Sequence, residues 1–237
     1  MAGHSKWANI KYRKEKADAA KGKVFTRLTK EIITAVKLGG SDPKSNARLR
    51  LVLQKAKAAN MPNDNIERNI KKAASADQAS YAEITYELYG HGGVGLILDI
   101  MTDNKNRTSS DVRIALNKKG GNLANPGAVA YNFDQKGVIQ VLKDNVLEEA
   151  LFAAVTEAGA DDFEATEDLY IVTTAPEALI KVKEAIDQLG IKCQSAEIEW
   201  VPKVMVECNE ADAKANLELI AWLEGLDDVD AVFHNMK

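Results

Sequence analysis

VIQVL (138–142), NVLEEALFAAVTEAG (145–159), the run around Phe163, LYIVTT (169–174), PEALIKVKEAIDQLG (176–190) and IKCQSAEIEWV (191–201) decide the fold. The short runs are rich in β-branched and large apolar residues, so they predict strands. The two long runs predict helices. Pro176 near the start of the second suits a first helical turn, where its missing N–H costs nothing, and Gly190 suits the end. The order is β-α-β-β-α-β, that of a ferredoxin-like module.

The flanks of this module are each incomplete. Upstream, ITYEL (84–88) and VGLILDIM (94–101) predict strands, a helix is expected from about Thr108 to Lys118, and VAYNF (129–133) predicts a third strand. Downstream, KVMVEC (203–208), ADAKANLELIAWLEGL (211–226) and VDAVFH (229–234) predict one more β-α-β. Neither piece buries a core alone, so the two are expected to pair across the chain into one sheet. The last helix is apolar on more than one side (Leu217, Leu219, Ile220, Trp222, Leu223), which predicts burial against two surfaces. The expected domains are 1–78, 79–135 joined with 202–237, and an inserted 136–201.

Residues 1–78 predict helices of a different character. Between Ala17 and Leu38, Phe25, Leu28, Ile32 and Val36 fall at helical spacing, and Gly39-Gly40 ends the run. Lys23, Arg27, Lys30 and Lys37 are expected on the opposite face. Ser41-Asp42-Pro43 reads as a cap and first turn for a second helix with Leu49, Val52, Leu53 and Ala56 inward. Arg48 and Lys55 flank one side of it, Arg50 and Lys57 the other. Asn63-Asp64 starts a third helix, whose Arg68, Lys71 and Lys72 also suit the negative end of a helix dipole. The fold class is therefore α+β: an N-terminal three-helix domain, then two small α+β sheet domains, one discontinuous and one ferredoxin-like.

Charge separates the two parts. Residues 1–76 hold 18 Lys and Arg against 6 Asp and Glu, a net +12, whereas 77–237 hold 13 against 29, a net −16. A +12 segment repels itself, and a polyanionic partner relieves that repulsion. The competing account is neutralisation of the basic part by the acidic part of the same chain. In the first sixteen residues Lys6, Lys11, Arg13, Lys14 and Lys16 interleave with Trp7 and Tyr12, cations for phosphates and rings for unpaired bases. Trp7 and Ile10 also suit an anchor onto the helices.

The candidate contact set is Lys6, Trp7, Lys11, Arg13, Lys14, Lys16, Lys21, Lys23, Arg27, Lys30, Lys37, Arg48, Arg50, Lys55 and Lys57, with Asn104 and Arg107 from the polar loop TDNKNRT (102–108). That loop also suits a capped turn into the helix at Thr108. The acidic sheets would repel phosphate and are expected to meet a protein partner.

Several functions find no support. GHGGVG (90–95) matches G-x-G-x-x-G, but a strand follows where a dinucleotide site needs a helix, so a hairpin connection is expected. No P-loop, G-x-S-x-G or H-E-x-x-H occurs, and Asp161-Asp162, Glu167-Asp168 and Asp227-Asp228 read as solvated pairs. Cys193 and Cys208 form no CxxC, and the histidines are only His4, His91 and His234. No enzyme activity, cofactor or metal is expected. No membrane span or secretory leader is read, so a cytoplasmic protein is expected.

AGHSKWANIK, GKVFTRLTKEI, KAKAANMPNDNIERNIKKA, TDNKNRT and GGNL resemble the YebC family of probable transcriptional regulators. The resemblance spans the whole chain. It implies an N-terminal helical domain and two α+β domains, one of them discontinuous. It also implies a DNA-binding regulator, or, as in mitochondrial relatives, a translational activator acting at RNA or the ribosome. It brings no catalytic residues. YELYGHGG (86–93) departs from the family's YEGYGPGG, with Leu88 and His91 in place of Gly and Pro.

Overall fold

The computed structural model describes residues 21–75, 80–144 and 146–237. It is α+β and divides into two compact units, one of 1–131 with 204–237 and one of 132–203.

The first unit begins with α1 (Lys21–Gly39), α2 (Ala47–Ala58) and α3 (Asn63–Ala73). Leu28, Ile32, Val36, Leu49, Val52, Ala56, Met61 and Ile66 form their shared core. The cap of α2 is Asn46, not the Ser41-Asp42-Pro43 run. Its Oδ1 accepts from Leu49 N at 2.9 Å, and its Nδ2 donates to Ala35 O and Gly40 O, both at 2.8 Å. One buried amide thus starts α2 and satisfies carbonyls at the end of α1. A Cβ on Gly39 would stand 2.7 Å from that amide.

The sheet of this unit has the order β3-β1-β2-β8, built from β1 (Ala82–Tyr89), β2 (Gly95–Thr102), β3 (Asn122–Leu123) and β8 (Val229–His234). All its pairings are antiparallel, with Ala82 opposite Thr102 and Leu96 opposite His234. The last strand therefore enters from beyond the second unit. Helices α4 (Lys105–Lys119) and α7 (Glu210–Gly225) cover one face, where Leu96, Leu98, Ile100, Val112, Leu116, Leu219 and Leu223 are buried.

Three local expectations change here. VAYNF (129–133) is no strand: Ala130–Asn132 is a 3-10 turn, and the next strand starts at Phe133. The backbone N–H groups of Gly127, Val129 and Ala130 all donate to the Glu87 carboxylate, so they are unavailable to a ladder. KVMVEC is reduced to a single bridge between Val206 and Met236. Helix α7 buries Leu219, Ile220 and Leu223, but Trp222 stays 39% exposed.

The second unit is β4 (Phe133–Leu142), α5 (Glu148–Ala158), β5 (Asp162–Ala165), β6 (Leu169–Thr174), α6 (Leu179–Gln188) and β7 (Cys193–Pro202). Its antiparallel sheet has the order β5-β6-β4-β7, the ferredoxin-like arrangement. Gly137 is required on β4, because a Cβ there would meet Thr174 Oγ1 at 2.3 Å. Phe163 stacks on Tyr170 and meets Phe152 edge-on, with centroids 5.3 and 5.5 Å apart.

Candidate nucleic-acid interface

Lys6, Trp7, Lys11, Arg13, Lys14 and Lys16 lie outside the described residues, as does the side chain of Lys21. The remaining candidates separate into cations turned inward and cations left at the surface.

Helix α1 is buried along almost its whole circumference from Lys30 to Val36. One stripe faces α2 and α3. A second, Lys23, Arg27, Lys30 and Thr34 at spacings of 4, 3 and 4, faces the sheet of the same unit. The Lys23 ammonium donates to Glu224 O and, at 2.6 Å, to Leu226 O, capping the C-terminal end of α7 where the helix dipole favours a cation. Burial lowers the Lys23 pKa, and Asp227 and Glu224 act against that shift. Arg27 donates to Glu31 at 3.0 Å and stands 3.8 Å from Asp230. Lys30 is 7% exposed, and its ammonium donates to Asp228 Oδ1 at 2.8 Å, Asp227 O at 2.9 Å and Met101 O at 3.1 Å. These three bonds use all three of its hydrogens. Lys23, Arg27 and Lys30 are thus not an outward polyanion-binding face, because the acidic segment of the same chain supplies their partners. Lys37 differs: it is exposed at the end of the helix, 3.1 Å from Ser80 Oγ.

Asp228 is the centre of this contact. Its Oδ1 takes Lys30. Its Oδ2 accepts from Arg107 Nη2 at 2.6 Å, Thr108 Oγ1 at 2.8 Å and Thr102 Oγ1 at 3.1 Å. Burial alone would raise its pKa, but Lys30, Arg107 and Thr108 bring it down to about 2. One carboxylate therefore joins α1, the end of β2 and the start of α4. In the sequence, Asp227-Asp228 read as solvated; no local signal marks the second residue as buried.

The two flanks of α2 have different environments. Arg48 is paired with Glu83, and Lys55 lies 3.7 Å from Glu31. On the other flank, Arg50 Nη1 donates to Pro43 O at 2.9 Å, while Lys57 and the nearby Lys44 are exposed.

TDNKNRT is mostly not a loop. Strand β2 runs to Thr102 and α4 begins at Lys105. Asn104 caps the helix, its Oδ1 accepting from Asn106 N at 3.2 Å and Arg107 N at 3.1 Å. Arg107 is held by Asp228 and Asp103, which raise its pKa. Sequence reasoning missed the outward face of α4 beyond this turn. Asn106, Ser110, Arg113 and Asn117 are exposed there at spacings of 4, 3 and 4.

The glycine-rich turn is structural. Asn216, fully buried, accepts from His91 N at 2.8 Å and donates to His91 O at 3.0 Å. His91 Nε2 lies 2.8 Å from Lys119 O, which places its proton on that nitrogen. Gly120 has φ +80°, and a Cβ on it would stand 2.5 Å from the His91 ring. His91, like Glu87, is engaged in holding backbone.

These features define a modular α+β protein in which a basic three-helix segment is clamped to a discontinuous sheet and a ferredoxin-like unit is inserted in the chain. The chain belongs to the TACO1/YebC family. Residues 5–76 match the TACO1/YebC N-terminal domain, and residues 81–236 match the TACO1/YebC second and third domain. A probable transcriptional regulatory protein of Protochlamydia amoebophila is 65% identical over all of this chain and 97% of its own length. Another so named, from Chlamydia pneumoniae, is 57% identical over the full length of both. The crystal structure of a conserved hypothetical protein from Aquifex aeolicus superposes with a TM-score of 0.87 at 44% identity, covering 98% of this chain and 97% of that one. No helix among the described residues is long and apolar enough to cross a membrane.

Proposed function

We propose that this protein is a non-enzymatic, nucleic-acid-binding regulator of transcription, acting in the cytoplasm. Its full-length relatives are named probable transcriptional regulatory proteins. The observation that carries the reading is what remains of the basic segment after internal pairing. The 1–76 segment has a net charge of +12, while the acidic segment engages Lys23, Arg27, Lys30 and Arg48. Lys57, Lys71 and Lys72 remain at the surface of the described helices, and Lys44 at the surface of the turn before α2. Together with Lys37, Arg50 and the cations and Trp7 of residues 1–20, they form the proposed contact. A protein partner for the acidic sheets belongs to the same reading. The non-enzymatic reading is supported by the chemistry: the buried polar groups Asp228, Glu87 and Asn216 are occupied by structural hydrogen bonds.

The deciding experiment uses the full chain with labelled duplex DNA and single-stranded RNA of equal length, titrated across salt. With 6–10 phosphates contacted, affinity falls by ~10³-fold or more between about 50 and 200 mM salt. Preference for duplex DNA supports a transcriptional role, preference for RNA a translational one. Binding to neither polymer overturns the reading.

A further inference from the structure

We propose that the outward face of α4 is a second nucleic-acid contact, with Arg113 and Lys118 directed to phosphates and Asn106, Ser110 and Asn117 to sugars, phosphates or base edges. It rests on the nucleic-acid reading above and adds a surface that lies within the acidic part of the chain.

Charge is the first reason. Residues 77–237 carry a net −16, yet α4 holds five cations against the single carboxylate of Asp111. Two of the five serve the fold: Arg107 holds Asp228, and Lys119 lies 2.9 Å from Glu218. Lys105, Arg113 and Lys118 have no ion-pair partner among the described residues.

The second reason is that this face is poorly chosen for helix stability. Asn106, Ser110 and Asn117 have lower helix propensity than the Ala, Glu or Lys that a merely solvated face would carry. They nevertheless form one exposed stripe with Arg113.

The third reason is chemical. Asn, Ser and Arg side chains reach phosphate and sugar oxygens, and the Asn amide and Arg guanidinium also form paired hydrogen bonds with base edges. No carboxylate interrupts the stripe. Among the described residues, Ile114 beside it is half-exposed, offering apolar contact.

Two full-length double variants test the surface against the same duplex DNA and single-stranded RNA. Arg113→Gln with Lys118→Gln lowers the salt slope by ~1.8 on duplex or ~1.4 on single strands, the loss of two phosphate contacts, with the melting temperature unchanged. Asn106→Ala with Asn117→Ala weakens binding several-fold at constant salt slope, and the melting temperature stays the same or rises. The polymer on which these changes appear identifies the ligand. If the parent binds and both variants match it in affinity and slope, α4 is only a solvated face and the inference fails while the function stands. If binding falls only together with the melting temperature, the effect is unfolding and the inference also fails. A parent that binds neither polymer overturns the function and this surface together.

Discussion

The Lys30 ammonium lies 2.8 Å from the Asp228 carboxylate, a residue 198 positions later in the chain. Both side chains are buried, with 8% and 6% of their surface exposed. The pair joins the basic helices to the acidic sheet, so the opposite charges of the two segments meet here as architecture. A buried carboxylate with Lys30 on one oxygen and Arg107, Thr108 and Thr102 on the other is satisfied only when α1, β2 and α4 are all in place. This makes the contact specific in register as well as in sign.

Removing one partner leaves a charge buried without its counterion. Lys30→Ala should cost about 3–5 kcal/mol of unfolding free energy in urea titration. A double-mutant cycle with Asp228→Asn should give a coupling above about 1 kcal/mol. Independent, additive effects would show that the two side chains do not act as a pair.

Acid should release this contact. The Asp228 pKa is held at about 2, below its ordinary value near 3.8, so the group favours folding above the unfolded value. That contribution, about 2 kcal/mol, is lost as pH falls from about 4 to about 2. Asp228→Asn should flatten the stability profile in that window.

Asp230 has the opposite sign. Burial pushes it up to about 6, and Arg27 only partly opposes the shift. Its contribution is full below about pH 4 and disappears as pH rises through 6, so ionised Asp230 destabilises the fold at neutrality. Asp230→Asn should raise stability at pH 7 by up to about 3 kcal/mol, with no gain below pH 4. Equal gains at both pH values would refute this account.

Glu87 holds the turn ahead of the second unit, with donors at 2.6 Å from Gly127 and Val129 and at 2.7 Å from Ala130. Burial would raise its pKa, but these three N–H groups bring it below the ordinary carboxylate range. Glu87→Ala should cost about 2–4 kcal/mol, because the orphaned N–H groups keep their desolvation penalty. Glu87→Gln should cost less. Hydrogen exchange at residues 127–130 should accelerate in the Ala variant.

Exposed and inward-turned cations should have different effects. Gln at Lys44 and Lys57 should change unfolding free energy by less than about 1 kcal/mol and lower the salt slope of nucleic-acid binding by up to ~0.9 per phosphate contact. Gln at Lys23, Arg27 and Lys30 should do the reverse, lowering the melting temperature with little direct change in slope. Identical behaviour of the two sets would contradict this division.

The strand and helix order of the second sheet was legible because it follows from local signals: apolar alternation, helical stripes, and Pro and Gly at element ends. In the first sheet VAYNF and KVMVEC read as strands that do not form, and the short edge strand Asn122–Leu123 carries no such signal. The charge division was legible too, since it needs only counting. Other features depended on partners distant in sequence. Lys30 and Thr34 are polar letters on a helix whose apolar stripe had already been counted, so nothing nearby marked their face as buried. Asp228 stood beside Asp227 with the same side-chain type, yet one is exposed and the other is the most engaged carboxylate of the unit. VAYNF has strand composition, but Glu87, 42 residues before Val129, takes its backbone donors. Local pattern determined the helices and the longer strands, because helix and strand periodicity act over a few residues. Tertiary structure decided which cations face water, because desolvation and charge pairing depend on neighbours that only the folded chain brings together.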